Sequence, residues 1–384
     1  MRANAGGPLV VAAALYSVTG VVNLEVPLYR VYATEAGWNN GLTAIMFAAY
    51  VAGLLPVLLC LGGLSDRIGR KPVVLFGTFV AIVATALMIL HPTIQVLLIA
   101  RLLKGVGVGL SVGAGTAWLA ELVPGGDAAA AAANRVAVMT SLGFGSGALG
   151  TTLALLPGPT LVPVSYWCAL ILGGACFVAL LTLPQRSPQG GVLVRLPYFP
   201  AGTILPGVAI ALAWAVTGLT IAIIPTQLAR YDLGIWSGAA LFLVNGTGAL
   251  CQPLVRRIPA RRALYIGFGL LPLGYLLLAG GAWRDILPLV LAGAAIAGAA
   301  CYGFTYLGGL SEVSRLGGAQ RARAVSGYFL CAYLGFGLPS VLLGFLADAL
   351  GVLDALLLFG VVLLVATIAL VWYAARRREM VQGL

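Results

Sequence analysis

Uncharged, mostly apolar runs alternate with short polar breaks along the chain, at 3–24, 36–65, 72–100, 136–185, 196–229, 233–255, 263–283, 286–311, 324–347 and 355–375. About 20 apolar residues cross a bilayer as a helix, so each run holds one span and a run past about 40 residues holds two. The breaker "LPGPTLVP" divides the run at 136–185, and "HPTIQ" separates a helix that ends near 91 from one that starts near 94. The pattern predicts twelve spanning helices, at about 8–31, 40–62, 72–91, 94–121, 134–156, 160–183, 203–226, 236–256, 262–281, 286–310, 323–348 and 353–375. A transmembrane barrel would instead show short alternating segments. The fold class is therefore an all-α membrane protein.

Composition agrees: 61% of the 384 residues are hydrophobic and 9% charged, against about a quarter charged in a soluble domain. The net charge of +11 changes the picture only through its distribution. With the N-terminus in the cytoplasm, one side collects Arg67, Arg70, Lys71, Arg256, Arg257, Arg261, Arg262 and Arg376, with Arg2, Arg186 and Arg195. The other side keeps Arg30, Arg230 and Arg284. Cytoplasmic loops gather Lys and Arg, so the basic balance sets topology and puts both termini in the cytoplasm. It does not point to nucleic acid, and membrane lipid is the one polyanionic neighbour it implies. The first apolar run reads as a retained helix and not a cleaved leader, since eleven further spans follow it. The six cysteines lie scattered in apolar spans with no Cys-x-x-Cys spacing, which makes them small buried residues and not metal ligands. No nucleotide-binding loop or metal-ligand cluster is present, so neither ATP drive, a cofactor nor an enzyme activity is expected.

Halfway along, "QRSPQGGVLVRLPYFP" breaks the hydrophobicity. It divides the chain into an N-terminal bundle of six helices (1–184), a cytoplasmic linker (185–201) and a C-terminal bundle of six (202–384). A shift of about 190 residues aligns "LSDRIGRKPVVLFG" with "LVRRIPARRALYIG". Arg67 then meets Arg257, Lys71 meets Arg261 and Gly77 meets Gly267. Two parallel six-helix repeats around a midplane cavity are a secondary-transporter architecture.

The loop between the second and third spans carries Gly62, Leu64, Asp66, Arg67, Gly69, Arg70 and Lys71. It resembles the signature Gly-x-Leu-x-Asp-Arg-x-Gly-Arg-Lys of the major facilitator superfamily, with no mismatch at those positions. Hydropathy and the repeat extend the resemblance over the whole chain. It implies two pseudo-symmetric bundles and alternating access, with Gly62, Asp66, Arg67, Gly69, Arg70 and Lys71 as a conformational gate. An acid followed by bases one and four residues on can form a clasp that closes in one conformation and opens in the other. In the second copy Arg256 replaces the acid and Pro259 the glycine, so the gate is expected to be asymmetric.

In the fourth span, "LLIARLLKGVGVG" resembles a signature of proton-coupled members of that family, with Arg101 and Gly105 in place and Lys104 where a glutamine is usual. At about 1.5 Å per residue from the outer end, Arg101 lies about 12 Å and Lys104 about 16 Å deep. Intramembrane cations are costly and mark functional sites. Glu25 in the first span sits at a depth comparable with Arg101, with Tyr29 on its face. Pro27 removes the bond to the carbonyl of Asn23 and should kink the helix there, which makes Asn23 a secondary cavity residue. Glu25 is expected either to carry the proton or recognise a cation, with Arg101 as its modulator, or to form a structural pair with Arg101. The stretch "GFGSGALGTT" partly resembles the antiporter motif of the fifth span: Gly143 and Gly147 fit, Gly150 keeps the helix slender for packing, but Ala148 replaces the proline. In the C-terminal half the candidates for a substrate cavity are Trp214, Thr217, Asn245, Tyr302 and Tyr306, the last two one turn apart. Glu121, Glu312, Asp348 and Asp354 fall near helix ends, where solvated or capping roles are expected.

The reading is a monomeric transporter of the bacterial inner membrane that exports a small amphipathic drug or metabolite in exchange for protons. A proton-coupled importer of a sugar, organic acid or amino-acid derivative is the alternative, and a non-transporting sensor or scaffold is a third.

Overall fold

The apolar runs fold as helices, and no strand occurs among the described residues. The structure is a computed structural model and describes residues 6–122, 128–185, 188, 190, 193–194 and 196–382, without the side chains of 128–130 and 377–382. Arg2, Arg186, Arg195 and part of the expected linker lie outside the described residues.

Six helices precede the linker: α1 (Gly7–Glu35), α2 (Asn40–Cys60), α3 (Arg70–Leu90), α4 (Ile94–Leu122), α5 (Ala128–Leu155) and α6 (Val164–Leu181). Six follow: α7 (Ile204–Ala229), α8 (Ser237–Val255), α9 (Ala260–Arg284), α10 (287–317), α11 (Arg321–Leu350) and α12 (Val352–Gln382). By length and hydropathy eleven stretches among the described residues can cross a membrane, because the turn between α10 and α11, Gly318–Gln320, is itself helical and joins them as Leu287–Leu350. The chain is an all-α protein of twelve helices in two six-helix bundles.

It clusters into two compact units, Met1–Gly37 with Met46–Leu196, and Trp38–Ile45 with Pro197–Leu384. The start of α2 thus belongs with the C-terminal unit. There the Asp348 carboxylate at the end of α11 accepts from the backbone N–H groups of Asn40 (2.9 Å) and Gly41 (2.7 Å) and from Asn40 Nδ2 (2.8 Å). A carboxylate on the first N–H groups of a helix satisfies orphan donors and complements the helix dipole.

Two helices depart from regular α geometry. Around Pro27, α1 passes through 3₁₀ turns at Val21–Asn23 and Val26–Leu28 before resuming as α-helix at Tyr29. A 3₁₀ turn rises about 2.0 Å per residue, so this stretch is longer and more tightly wound than a straight helix. In α10, residues Ala299–Thr305 form a π-helix, a feature that apolar periodicity does not signal.

Positions matched across the internal repeat make like contacts, each in its own unit. Lys71 Nζ donates to the carbonyls of Leu181 and Leu183 at the end of α6 (both 2.7 Å), and Arg261 Nη2 donates to the carbonyl of Ala374 in α12 (3.3 Å). The carbonyls that Lys71 meets end α6, where a cation is favoured by the negative end of the dipole.

Candidate functional site

The 3₁₀ stretch of α1 carries Asn23 and Glu25, and α4 presents Arg101 and Lys104 one turn apart. All four are buried, with exposures of 3%, 1%, 0% and 0%. Glu25 Oε1 pairs with Lys104 Nζ. Arg101 Nη1 donates to the carbonyl of Val22, in the first of the 3₁₀ turns. The expected partnership of Glu25 with Arg101 is therefore replaced by one with Lys104. The 3₁₀ turns on either side of Glu25 depart from the regular α-helix that sets it level with Arg101.

Three rings surround the Arg101 guanidinium: Tyr29 and Phe47 at 5.8 Å from centroid to Cζ, and Tyr50 at 5.2 Å. Phe47 and Tyr50, three apart on one face of α2, were not singled out from sequence, where apolar spans contain many such aromatics. They reach Arg101 because α2 and α4 touch at backbone distance. A Cβ on Gly105 would lie 2.1 Å from the carbonyl oxygen of Tyr50. Asn23 faces another way, its Nδ2 donating to the carbonyl of Phe144 in α5 (2.9 Å). That bond ties α1 to α5. At the same interface, Cβ atoms on Gly143 and Gly147 would lie 2.1 Å from Thr19 Oγ1 and 1.9 Å from the Gly20 carbonyl oxygen, whereas Gly150 has 4.0 Å to its nearest neighbour.

The loop between α2 and α3 holds a one-turn helix, Leu64–Ile68. Arg70 pairs with Asp66, four residues earlier, and donates to Ser65 Oγ (2.6 Å) and Glu121 Oε1 (3.4 Å). Glu121 at the end of α4 is a member of the clasp that sequence position alone left as a solvated or capping residue. Gly69 has φ 101° and ψ 158°, a conformation confined to glycine, and a Cβ there would strike Gln185 Nε2 at 2.3 Å. The linker folds back on this loop: the N–H of Gly190 donates to the Asp66 carbonyl (3.1 Å) and that of Gly63 to the Leu193 carbonyl (2.9 Å). Arg67 and Gly62 are exposed.

In the C-terminal unit, Trp214 lies against Tyr302 with the rings tilted (5.8 Å) and meets Tyr333 (4.9 Å) and Phe336 (5.9 Å) edge-on. Tyr306 contacts Phe329 (6.1 Å). The π-helix of α10 delivers Tyr302 to this group, and such bulges occur often at functional sites. Phe329, Tyr333 and Phe336 recur at helical spacing on α11, a signal present in the sequence but common to any packed helix. Thr217 and Asn245 are buried, at 1% each; Asn245 Nδ2 donates within α8 to Leu241 (2.9 Å), leaving Oδ1 without a donor among the described residues.

The family profile of the Major Facilitator Superfamily matches residues 9–319, most of the chain. The chain belongs to the major facilitator superfamily. Among superfamily structures, a POT family transporter in complex with 5-aminolevulinic acid superposes with a TM-score of 0.78 at 13% identity, covering 96% of each chain. A D-xylose-proton symporter superposes with a TM-score of 0.74 at 16% identity over 94% of this chain and 96% of that one. At such identities the likeness establishes the fold alone. Multidrug resistance protein MdtL of Shewanella oneidensis is 38% identical over 77 residues, 20% of this chain. The chain spans about a fifth (19%) of the length of that curated relative. Superfamily membership and the membrane-capable helices make this chain a multi-pass membrane protein.

Proposed function

We propose that the protein is a proton-coupled exporter of small amphipathic drugs or metabolites in a bacterial inner membrane, working as a monomer with both termini cytoplasmic. The observation that carries this reading is the buried Glu25–Lys104 pair beside Arg101. Ionised groups are expensive to hold in an apolar bundle and persist where they serve conduction of charge or ligand. A carboxylate held by a lysine can exchange a proton as that contact opens and closes between two conformations. Asp66, Arg70 and Glu121 form a clasp of the kind a bistable gate needs, and the aromatic group around Trp214 offers flat apolar surface to a substrate. The multidrug resistance protein among its relatives lends the efflux direction its support.

Import with protons is the second reading, favoured by the departure at Ala148 from the antiporter pattern of α5. Flux of fluorescent amphipathic compounds into proteoliposomes separates the two. An outward proton gradient drives accumulation if the protein exchanges substrate for protons, and an inward one does so if it is a symporter. No dependence on either gradient removes proton coupling altogether.

A further inference from the structure

The cluster on α1, α2 and α4 contains two cations and one carboxylate, and that carboxylate is engaged with Lys104. Arg101 is left with its charge unbalanced at 0% exposure. Its donors are unevenly used. Nη1 is bound to the Val22 carbonyl, whereas Nε and Nη2 meet no acceptor among the described residues. Those two N–H groups share one edge of the guanidinium and point parallel, the arrangement that grips both oxygens of a carboxylate at once. The rings of Tyr29, Phe47 and Tyr50 around the same cation are apolar and flat, suited to the body of an organic acid but not to a hydrated inorganic ion.

We propose that the Nε–Nη2 edge of Arg101 is a carboxylate subsite, and that the substrates of this transporter are amphipathic organic monocarboxylates. The assignment rests on the transport reading for why a small molecule must enter here, and it narrows that reading from amphipathic compounds in general to anions. Glu25 and Lys104 remain a neutral pair while Arg101 meets the ligand. The ligand then cancels the excess charge of the cluster, and the same fork that is costly alone becomes the source of selectivity. Neutral amides of the same shape leave that charge uncancelled, and ammonium analogues add to it.

The test is equilibrium binding to the full chain in lipid nanodiscs near neutral pH, with benzoate, 2-naphthoate and decanoate each compared with its amide and with the corresponding primary ammonium. Preference for carboxylate over amide by about ten- to a hundredfold is expected for at least one size, the worth of a charge-assisted hydrogen bond. Arg101→Gln should erase the preference, and Arg101→Lys, which keeps the charge but not the fork, should retain part of it. Equal or stronger binding of the amides or ammoniums, absence of carboxylate preference at every size, or a preference that survives in Arg101→Gln overturns the proposal. If Arg101→Gln does not fold, the wild-type pairs and Arg101→Lys decide. Binding requires no flux. Carboxylate preference without gradient-driven transport leaves the subsite and removes the transport reading, whereas coupled flux of neutral or cationic compounds with no carboxylate preference does the reverse.

Discussion

Replacing Glu25 by Gln removes the sole carboxylate of a cluster whose two cations are wholly buried. Two unit charges in contact at about 4 Å interact by about 4 kcal/mol at an effective dielectric constant near 20. Breaking a buried pair by deleting one partner costs about 3–5 kcal/mol, because the survivor stays desolvated. Glu25→Gln should therefore destabilise the protein by about 4 kcal/mol. Lys104→Met should cost less, since Arg101 offers the open Nε–Nη2 edge to the freed carboxylate and a charge-assisted hydrogen bond returns about 2 kcal/mol, leaving about 2. The double variant should be more stable than Glu25→Gln alone, which makes the cycle non-additive by more than about 1 kcal/mol. Reversible unfolding in mixed micelles, followed by tryptophan fluorescence, reads all four corners of the cycle. Additive single effects, or Lys104→Met costing as much as Glu25→Gln, would refute the charge count on which the site rests.

Three further outcomes follow from the geometry. Gly147→Val should destabilise by about 1–3 kcal/mol through overpacking of α1 on α5, seen as a lowered thermal transition, while Gly150→Ala, with 4.0 Å to its nearest neighbour, should stay within about 0.5 kcal/mol. Gly69→Ala should cost about 1–3 kcal/mol from its φ of 101° and the collision with Gln185, measured in the same scan; an unshifted transition would show the loop to be free to rebuild. Asp66→Asn should weaken the Arg70 clasp and redistribute the conformers, read as changed accessibility of single cysteines introduced at the two ends of the bundles, and identical labelling on both faces would remove Asp66 from any gating role.

Much of the fold was legible because a bilayer allows few solutions: a run of about 20 apolar residues must be a helix, and the twelve expected ranges correspond to α1–α12. The buried charges were equally visible, since Glu25, Arg101 and Lys104 stand out against apolar neighbours. Their pairing was not. It depends on the pitch of α1 around Pro27, which departs from the α rise that a depth estimate must assume. The Arg101 cage was hidden for a different reason: Phe47 and Tyr50 acquire meaning only once Gly105 lets α4 lie against the backbone of α2. Likewise the π-helix at Ala299–Thr305 and the clasp role of Glu121 arise from tertiary packing that no local pattern encodes.

The central claim, a transporter whose coupling runs through Glu25, is tested most directly by gradient-driven flux of amphipathic carboxylates in proteoliposomes, wild type against Glu25→Gln. In the wild type an outward proton gradient should drive accumulation, and in the variant flux should persist as exchange but lose its dependence on the gradient. Gradient-dependent accumulation that is the same in both proteins would contradict the account.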